Sequence, residues 1–284
     1  MRYISTEIQS FKQYGNAWEI VKMLKEVGFT AYDASMFTDG VFDEILYAEN
    51  WEEKAREFRA YADSLGIVCN QSHAPFATAR KGDEEYNKQM LPKIKRAIEV
   101  SGILGAKICV VHPCNNYTAE ENAKLYKNFE QTAKKAGVKI AVENMWNWKQ
   151  GSPVATPAAC SHHDDFKKHL ELLNKDVFVA CVDIGHAEMA GLNTSAAQMI
   201  ETLGDRLTAM HLHDVDKSRD NHLLPFTLKI DFPPIIEALR KINYQGDITL
   251  EACHFVKKMP VELLPNVAKL AADVAAYFRR EIQK

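Results

Sequence analysis

Ionisable residues recur at the carboxyl-terminal ends of the β-rich segments of this chain. Within a strand alternate residues share one face, so Ala141 and Glu143 point the same way. A small residue thus precedes an ionisable one on the same face, and the pattern returns in the later segments as Cys181 with Asp183, Ala209 with His211, and Thr249 with Glu251. Gln71 with His73 and Val110 with His112 repeat it earlier in the chain.

These side chains predict a metal site if the strands run parallel. A carboxylate or an imidazole is costly to bury unpaired, so such groups must neutralise one another or share a cation. Two Glu, one Asp and at least one His form a nitrogen and oxygen ligand set for one divalent ion, with Mn²⁺ or Zn²⁺ favoured and Co²⁺ or Mg²⁺ also suitable. Four other histidines lack this registration and are not expected as ligands: His162, His163, His169 and His254.

Short β-rich runs alternate along the chain with longer amphipathic stretches, which defines the elements that must position these residues. The predicted strands are Tyr3–Ile8, Thr30–Met36, Val68–Ala74, Lys107–His112, Lys139–Asn144, Val177–Ile184, Leu207–His213 and Asp247–Ala252. The predicted helices are Ala17–Val27, Trp51–Leu65, Glu84–Leu104, Ala119–Ala136, Asp164–Asn174, Ser195–Leu203, Pro233–Ile242 and Val261–Ile282.

Strict alternation of strand and helix favours an α/β fold, a single (β/α)8 barrel domain over residues 1–284. In such barrels the active site lies at the carboxyl-terminal ends of the strands, where the ionisable residues fall. A doubly wound open sheet is the alternative, but it predicts a glycine-rich phosphate loop after an early strand. No GxGxxG or GxxxxGK[ST] pattern is present.

Composition excludes several classes of protein. The chain has 284 residues, 46% of them hydrophobic, with 35 Lys and Arg against 38 Asp and Glu, a net charge of −3. This balance gives no overall attraction to nucleic acid. No apolar stretch approaches the ~20 residues that span a bilayer, and the first residues lack the apolar core of a signal peptide. Six scattered cysteines without CxxC spacing favour reduced thiols, and we therefore expect a cytoplasmic protein.

Six short motifs, in order along nearly the whole chain, resemble the xylose-isomerase-like barrel superfamily, which includes sugar isomerases and epimerases, inosose dehydratases and apurinic-site endonucleases. They are His73-Ala-Pro-Phe, Val110-Val-His-Pro, Val142-Glu-Asn, Val182-Asp-Ile-Gly-His, His211-Leu-His-Asp and Leu250-Glu-Ala. By similarity to the single-metal ketose epimerases of the superfamily, the ion would lie on Glu143, Asp183, His211 and Glu251. The resemblance selects His211 rather than His213 as the imidazole ligand.

The resemblance also implies contacts to the substrate. His186 matches a substrate-contacting histidine of the epimerases, and Lys217 falls where they carry an arginine. Further expected substrate-binding residues are His73, His112, His222 and Trp146, although the Trp146/Trp148 pair could equally anchor a loop. Glu143 and Glu251 are the expected catalytic residues, which would remove and return a proton next to a carbonyl through a metal-stabilised enediolate.

Other functions remain open from the sequence. The endonuclease branch uses three zinc ions, and its additional ligands have counterparts in His73, His112, His186 and the Asp220-Asn-His222 segment. Its opening motif is absent, however, and the segment 214–231 is closer to the sugar-isomerase relatives, so a sugar or cyclitol isomerase or epimerase is favoured. A lyase or dehydratase would share the same first step, and a binding protein without catalysis is the third class. The expected partners are a small sugar or polyol and a second copy in a homo-oligomer, with neither nucleic acid nor membrane.

Overall fold

Eight short parallel strands form the centre of the computed structural model, which describes residues 2–284. Their bounds are β1 Ile4–Thr6, β2 Ala31–Ser35, β3 Val68–His73, β4 Ile108–Val110, β5 Lys139–Glu143, β6 Phe178–Asp183, β7 Leu207–His211 and β8 Ile248–Leu250. Each lies within its predicted segment and is shorter than that segment by at most two residues at either end.

The strands close into a barrel. Strands β2 to β7 pair in sequence order, and β1 pairs with β8. Single parallel bridges join the two groups, from Glu7 to Asp33 between β1 and β2 and from Leu212 to Leu250 between β7 and β8. The predicted (β/α)8 barrel is therefore confirmed.

Helices follow the strands and cover the outside of the barrel. They are α1 Ala17–Glu26, α2 Asp43–Leu46, α3 Trp51–Leu65, α4 Glu84–Leu104, α5 Ala119–Ala136, α6 His163–Glu171, α7 Ile184–Ala187, α8 Ala196–Leu203, α9 Phe232–Lys241, α10 Cys253–Val256 and α11 Leu264–Gln283. The sequence did not predict the short helices α2, α7 and α10. The last helix, α11, begins three residues later than predicted, because Val261–Leu263 form a 3-10 turn instead.

Local signals explain the helix boundaries. Asn16 and Thr118 each close a capping box with the glutamate three residues later, which satisfies free N–H groups of the first turn. Gly66, Gly105 and Gly137 end α3, α4 and α5 in the left-handed conformation that glycine adopts without steric cost.

The inward and outward faces of the strands have different roles. Outward residues pack under the helices in a large apolar core. The barrel interior holds a smaller apolar cluster formed by Val110, Ala141, Val179, Cys181 and Ala209. In β5, β6 and β7 the next residue on the same inward face is ionisable, so polar groups lie directly above an apolar floor. Within residues 2–284, none of the helices is both long and apolar enough to cross a membrane.

Candidate functional site

Glu143, the last residue of β5, lies at the centre of the polar cluster. Its side chain is buried, and its two oxygens face different imidazoles. Oε1 lies 3.3 Å from Nδ1 of His211, whereas Oε2 lies 3.1 Å from Nε2 of His112 and 3.5 Å from Nε2 of His73. One carboxylate therefore connects two groups of nitrogen ligands.

The four predicted metal ligands are brought together around His211. Its Nδ1 lies 3.4 Å from Glu251 Oε2 and 4.0 Å from Asp183 Oδ2, in addition to its contact with Glu143. This buried nitrogen makes no hydrogen bond in the described structure despite its three carboxylate neighbours. An orphaned imidazole nitrogen among three carboxylates fits a divalent cation, which would take the lone pair of His211 and the negative charge together.

A second group of donors adjoins the first. Nε2 of His73 and Nε2 of His112 lie 2.9 Å apart, beside the shared Glu143. His73 directs Nδ1 to the carbonyl oxygen of Ala74 at 2.9 Å, which turns Nε2 toward His112 and Glu143. Histidines that bind metals are commonly oriented by such a hydrogen bond from the other ring nitrogen.

A third group contains His186, Asp220 and His222. Nε2 of His186 and Nε2 of His222 lie 3.2 and 3.0 Å from the same oxygen of Asp220. Each Nδ1 donates to a backbone carbonyl, His186 to Asn144 and His222 to Glu251, both at 2.9 Å. This arrangement leaves both Nε2 atoms facing a carboxylate, where either a proton or a metal ion can satisfy them.

The ionisation of the cluster reflects this crowding. Burial raises the pKa of Glu251 to about 7, against the opposing charges of His211 and His222. Glu143 is also buried, but the charges of His211 and His112 outweigh burial and hold its pKa well below the usual range. Burial alone would lower the pKa of His222, whereas the charge and hydrogen bond of Asp220 raise it to about 10. Two glutamates at one site therefore have opposite shifts, which is common where one carboxyl must exchange a proton.

His213, which the sequence analysis set aside as a ligand and gave no other role, is a buried residue of the site. Its Nε2 lies 2.9 and 3.0 Å from the two oxygens of Asp183, and its ring stacks on His222 with centroids 4.0 Å apart. Gly185 provides the space for this ring, because a β-carbon there would lie 2.6 Å from His213 Nε2. His213 thus connects Asp183 to the third donor group. The sequence did contain a signal for this position, because residues two apart in a strand share a face and His213 lies two residues after His211.

Asp183 is held from several directions. Its carboxylate accepts a 2.7 Å hydrogen bond from the backbone N–H of His186 and caps α7. The side chain of Asn144 accepts from the backbone N–H of Asp183 at 2.8 Å and donates to its carbonyl oxygen at 2.9 Å. A ligand fixed in this way loses little conformational entropy on binding a metal ion.

The remaining predicted substrate-binding residues have different surroundings. Trp146 donates from Nε1 to Asp220 at 3.3 Å, so its indole lies at the edge of the third donor group. Lys217 pairs with Glu188 at 2.9 Å, and its backbone adopts a left-handed conformation. The substrate-binding roles predicted for both residues, and for the four histidines, stay predictions.

A cavity of about 360 Å³ opens beside His112 at the barrel mouth. Its wall includes Phe76, Met145, Asn115 and Asn147. The Phe76 ring is exposed and lies 5.0 Å from the ring of His112, centroid to centroid. Apolar rings and amides suit the faces and hydroxyls of a sugar. A larger cavity, about 690 Å³, lies at the opposite end of the barrel around the first residues of the strands, away from the clustered ionisable groups.

The model of one protein family, described as the xylose isomerase-like TIM barrel, matches residues 21–280. The chain belongs to the xylose isomerase-like TIM barrel family. The resemblance in the motifs is therefore confirmed for most of the chain. The family includes several chemistries, so membership alone leaves the reaction open.

Known proteins are similar to this chain in sequence and in structure. The uncharacterized protein MJ1311 of Methanocaldococcus jannaschii is 29% identical over 190 residues, which are 63% of this chain and 62% of that protein. The match thus spans less than two thirds of that relative. The D-psicose 3-epimerase of Enterocloster bolteae is 24% identical over 276 residues, 88% of this chain and 85% of that enzyme. The crystal structure of a D-tagatose 3-epimerase-like protein superposes with a TM-score of 0.71 and 21% identity, covering 95% of this chain and 98% of that one.

Proposed function

We propose that this protein is a metal-dependent isomerase or epimerase of a sugar or cyclitol. The observation that carries the proposal is the position of two glutamates on His211, with Glu143 Oε1 and Glu251 Oε2 lying 3.3 and 3.4 Å from the same imidazole nitrogen. Two carboxylates at one centre can remove a proton from a carbon and return one to it. The names of the D-psicose and D-tagatose 3-epimerase relatives support this class of reaction.

Glu143, Asp183, His211 and Glu251 would hold the ion. When bound, a divalent ion supplies a Lewis acid that polarises a carbonyl and stabilises the negative charge of the transition state. Mn²⁺ or Zn²⁺ suits the mixed carboxylate and imidazole donors. The three carboxylates need this positive charge, because buried carboxylates within 4.0 Å of one imidazole nitrogen are otherwise balanced only by protons.

The two glutamates would divide the proton transfer. Glu251 would accept the proton from the substrate carbon and give it back. Glu143, kept ionised by His211 and His112, would act from the other side. His112, with His73, His186 and His222, would orient substrate hydroxyls, and Trp146 would border the sugar.

The setting of the protein is part of the same proposal. We propose one barrel domain over residues 1–284, a small-molecule substrate rather than nucleic acid, and a cytoplasmic location. All six cysteines are free thiols, which is consistent with a reducing compartment.

Solvent proton exchange tests the reaction without knowledge of the natural substrate. The metal-loaded protein is incubated in deuterated water with a panel of ketoses, aldoses and inososes. We expect deuterium to enter next to the carbonyl of at least one compound, and Glu251→Gln to slow this exchange about 100-fold or more. Glu52→Gln, the same chemical change on an exposed helix, is the control and should leave the rate unchanged. Product without solvent deuterium would contradict proton transfer and favour a hydride shift.

A zinc-dependent endonuclease for abasic DNA is the second candidate. It is favoured by one observation, the two further donor groups of His73 and His112 and of His186, Asp220 and His222. Elemental analysis separates the candidates, because we expect one ion per chain for the isomerase and three zinc ions for the endonuclease. Incision of an abasic DNA duplex by the protein would establish the endonuclease. A dehydratase would share the exchange reaction but would release water from the same substrates.

A further inference from the structure

The last helix, α11, carries an apolar row on its outer face. Counting from the residue before the helix, the row has alternating spacings of four and three: Leu263, Val267, Leu270, Val274 and Tyr277. Leu263, Leu270 and Tyr277 are 44%, 49% and 38% exposed, and the two valines are half-buried. A repeat of this kind keeps apolar residues on one side of a helix and forms the seam along which two helices pack.

Phe226 extends the row at one end. Its ring is 52% exposed, stacks on Phe278 with centroids 5.3 Å apart, and contacts Tyr277 edge to face at 5.5 Å. Its backbone has φ of +74°, a left-handed conformation that side chains other than glycine rarely adopt. The chain thus retains an exposed aromatic ring in an unfavourable backbone conformation. Contiguous exposed apolar patches on a protein surface commonly mark an interaction site.

The charges beside the row indicate what covers it. Glu262 is exposed just before the helix, and Arg280 is exposed in its last turn. Lys269 and Asp273, which lie between them, pair with each other at 2.5 Å and need no partner. If a second copy of α11 packs in the opposite direction, each Glu262 approaches the Arg280 of the other copy. A parallel arrangement would instead place like charges together.

We propose that α11 is a self-association surface on which two copies of this chain pack antiparallel about a two-fold axis. Such an interface is self-complementary, since the same patch serves both partners. The apolar row and Phe226 form its water-excluding centre, and the Glu262–Arg280 pairs form the rim. A helix of this length extends about 30 Å, enough to supply much of the roughly 800 Å² that each partner of a stable interface buries. This proposal is independent of the reaction proposed above.

Sedimentation of the full chain over a range of concentrations tests the proposal. We expect a concentration-dependent dimer, and we expect Leu270→Glu to weaken it about 100-fold or more, because two carboxylates would face each other near the axis. Leu172→Glu is the matched control, since Leu172 is 42% exposed at the end of α6 and should leave the dimer unchanged.

Charge reversal provides a second test that does not depend on the folding of Leu270→Glu. Glu262→Arg alone should weaken the dimer, and the added change Arg280→Glu should restore it by exchanging the two signs. A wild-type chain that stays monomeric, or a dimer that survives Leu270→Glu and both charge variants, overturns the proposal. A dimer that survives these changes would show that the interface lies elsewhere. A monomeric wild type would show that the apolar row binds a different partner or none.

Discussion

Substituting Gly185 by alanine should weaken metal binding, although Gly185 itself would not be a ligand. Its backbone lies outside the left-handed region, so alanine is compatible with the conformation of α7. The new β-carbon would lie 2.6 and 2.7 Å from the two ring nitrogens of His213, closer than such atoms can approach. The ring is buried between Asp183 and the stacked ring of His222, so it must move away from Asp183.

The size of the effect follows from these contacts. Overpacking a buried position costs about 1–3 kcal/mol in the free energy of unfolding. A loss of about 2 kcal/mol lowers the melting temperature of a chain of this size by roughly 4–8 °C. Removing a group that orients a metal ligand lowers metal affinity about 10–100-fold. Calorimetric titration with Mn²⁺ or Zn²⁺ measures the affinity, and thermal unfolding of the metal-free protein measures the stability.

Two controls separate steric pressure on His213 from general destabilisation. Gly137→Ala places alanine at φ of +68° with no atom near its β-carbon, so it should lower stability by about 1–2 kcal/mol and leave metal affinity unchanged. In a His213→Ala background the ring is gone, and Gly185→Ala should then cost much less, a non-additivity that a double-mutant cycle reports. Equal costs in both backgrounds, or an unchanged metal affinity in the single variant, would refute the reasoning.

Two further predictions concern ionisation and stoichiometry. Burial raises the pKa of Glu251 from 4.5 to about 7, so the folded metal-free protein holds this proton more tightly than the unfolded chain does. As the pH rises from 4.5 to 7, the free energy of unfolding should therefore fall by up to about 3 kcal/mol. Urea unfolding at several pH values should show that Glu251→Gln removes this part of the slope, and an unchanged slope would contradict the assignment. If the protein has a single-metal centre, elemental analysis should find one ion per chain in both the wild type and Asp220→Asn, and none in Glu143→Gln. Three ions per chain in the wild type, with fewer in Asp220→Asn, would instead favour the endonuclease.

Much of this arrangement could be predicted because two periodicities are local properties of the sequence. The alternation of β-rich and amphipathic segments predicts the barrel, and the period of two within strands places Glu143, Asp183 and His211 on one face. Parallel strands end at the same side of a barrel, so their last inward residues converge. The four predicted ligands do converge, which shows that strand phase and strand order suffice to assemble such a cluster.

Other features depend on structure that no local pattern encodes. The contact of His213 with Asp183 requires the register of β6 on β7, which shifts between Ala180 and Cys181. The helix α7 begins directly after β6, where Asp183 at the end of the strand caps it. Lys217 lies at a left-handed turn that directs its side chain to Glu188, and spacing from His211 gave no information on that turn.

The hydrogen bonds of three histidines indicate that the proposed metal ion would compete with protons at this centre. His73, His186 and His222 each use Nδ1 on a backbone carbonyl, which aims Nε2 at a carboxylate. Without a cation, a proton on Nε2 must supply the positive charge, and for this reason Asp220 raises the pKa of His222 to about 10. A metal ion bound by the four proposed ligands would likewise displace the protons of His211 and Glu251, so its affinity would rise with pH while these two groups titrate. The pairing of charges in the metal-free cluster would therefore oppose the proposed metal binding, and the same substitutions would not maximise both properties.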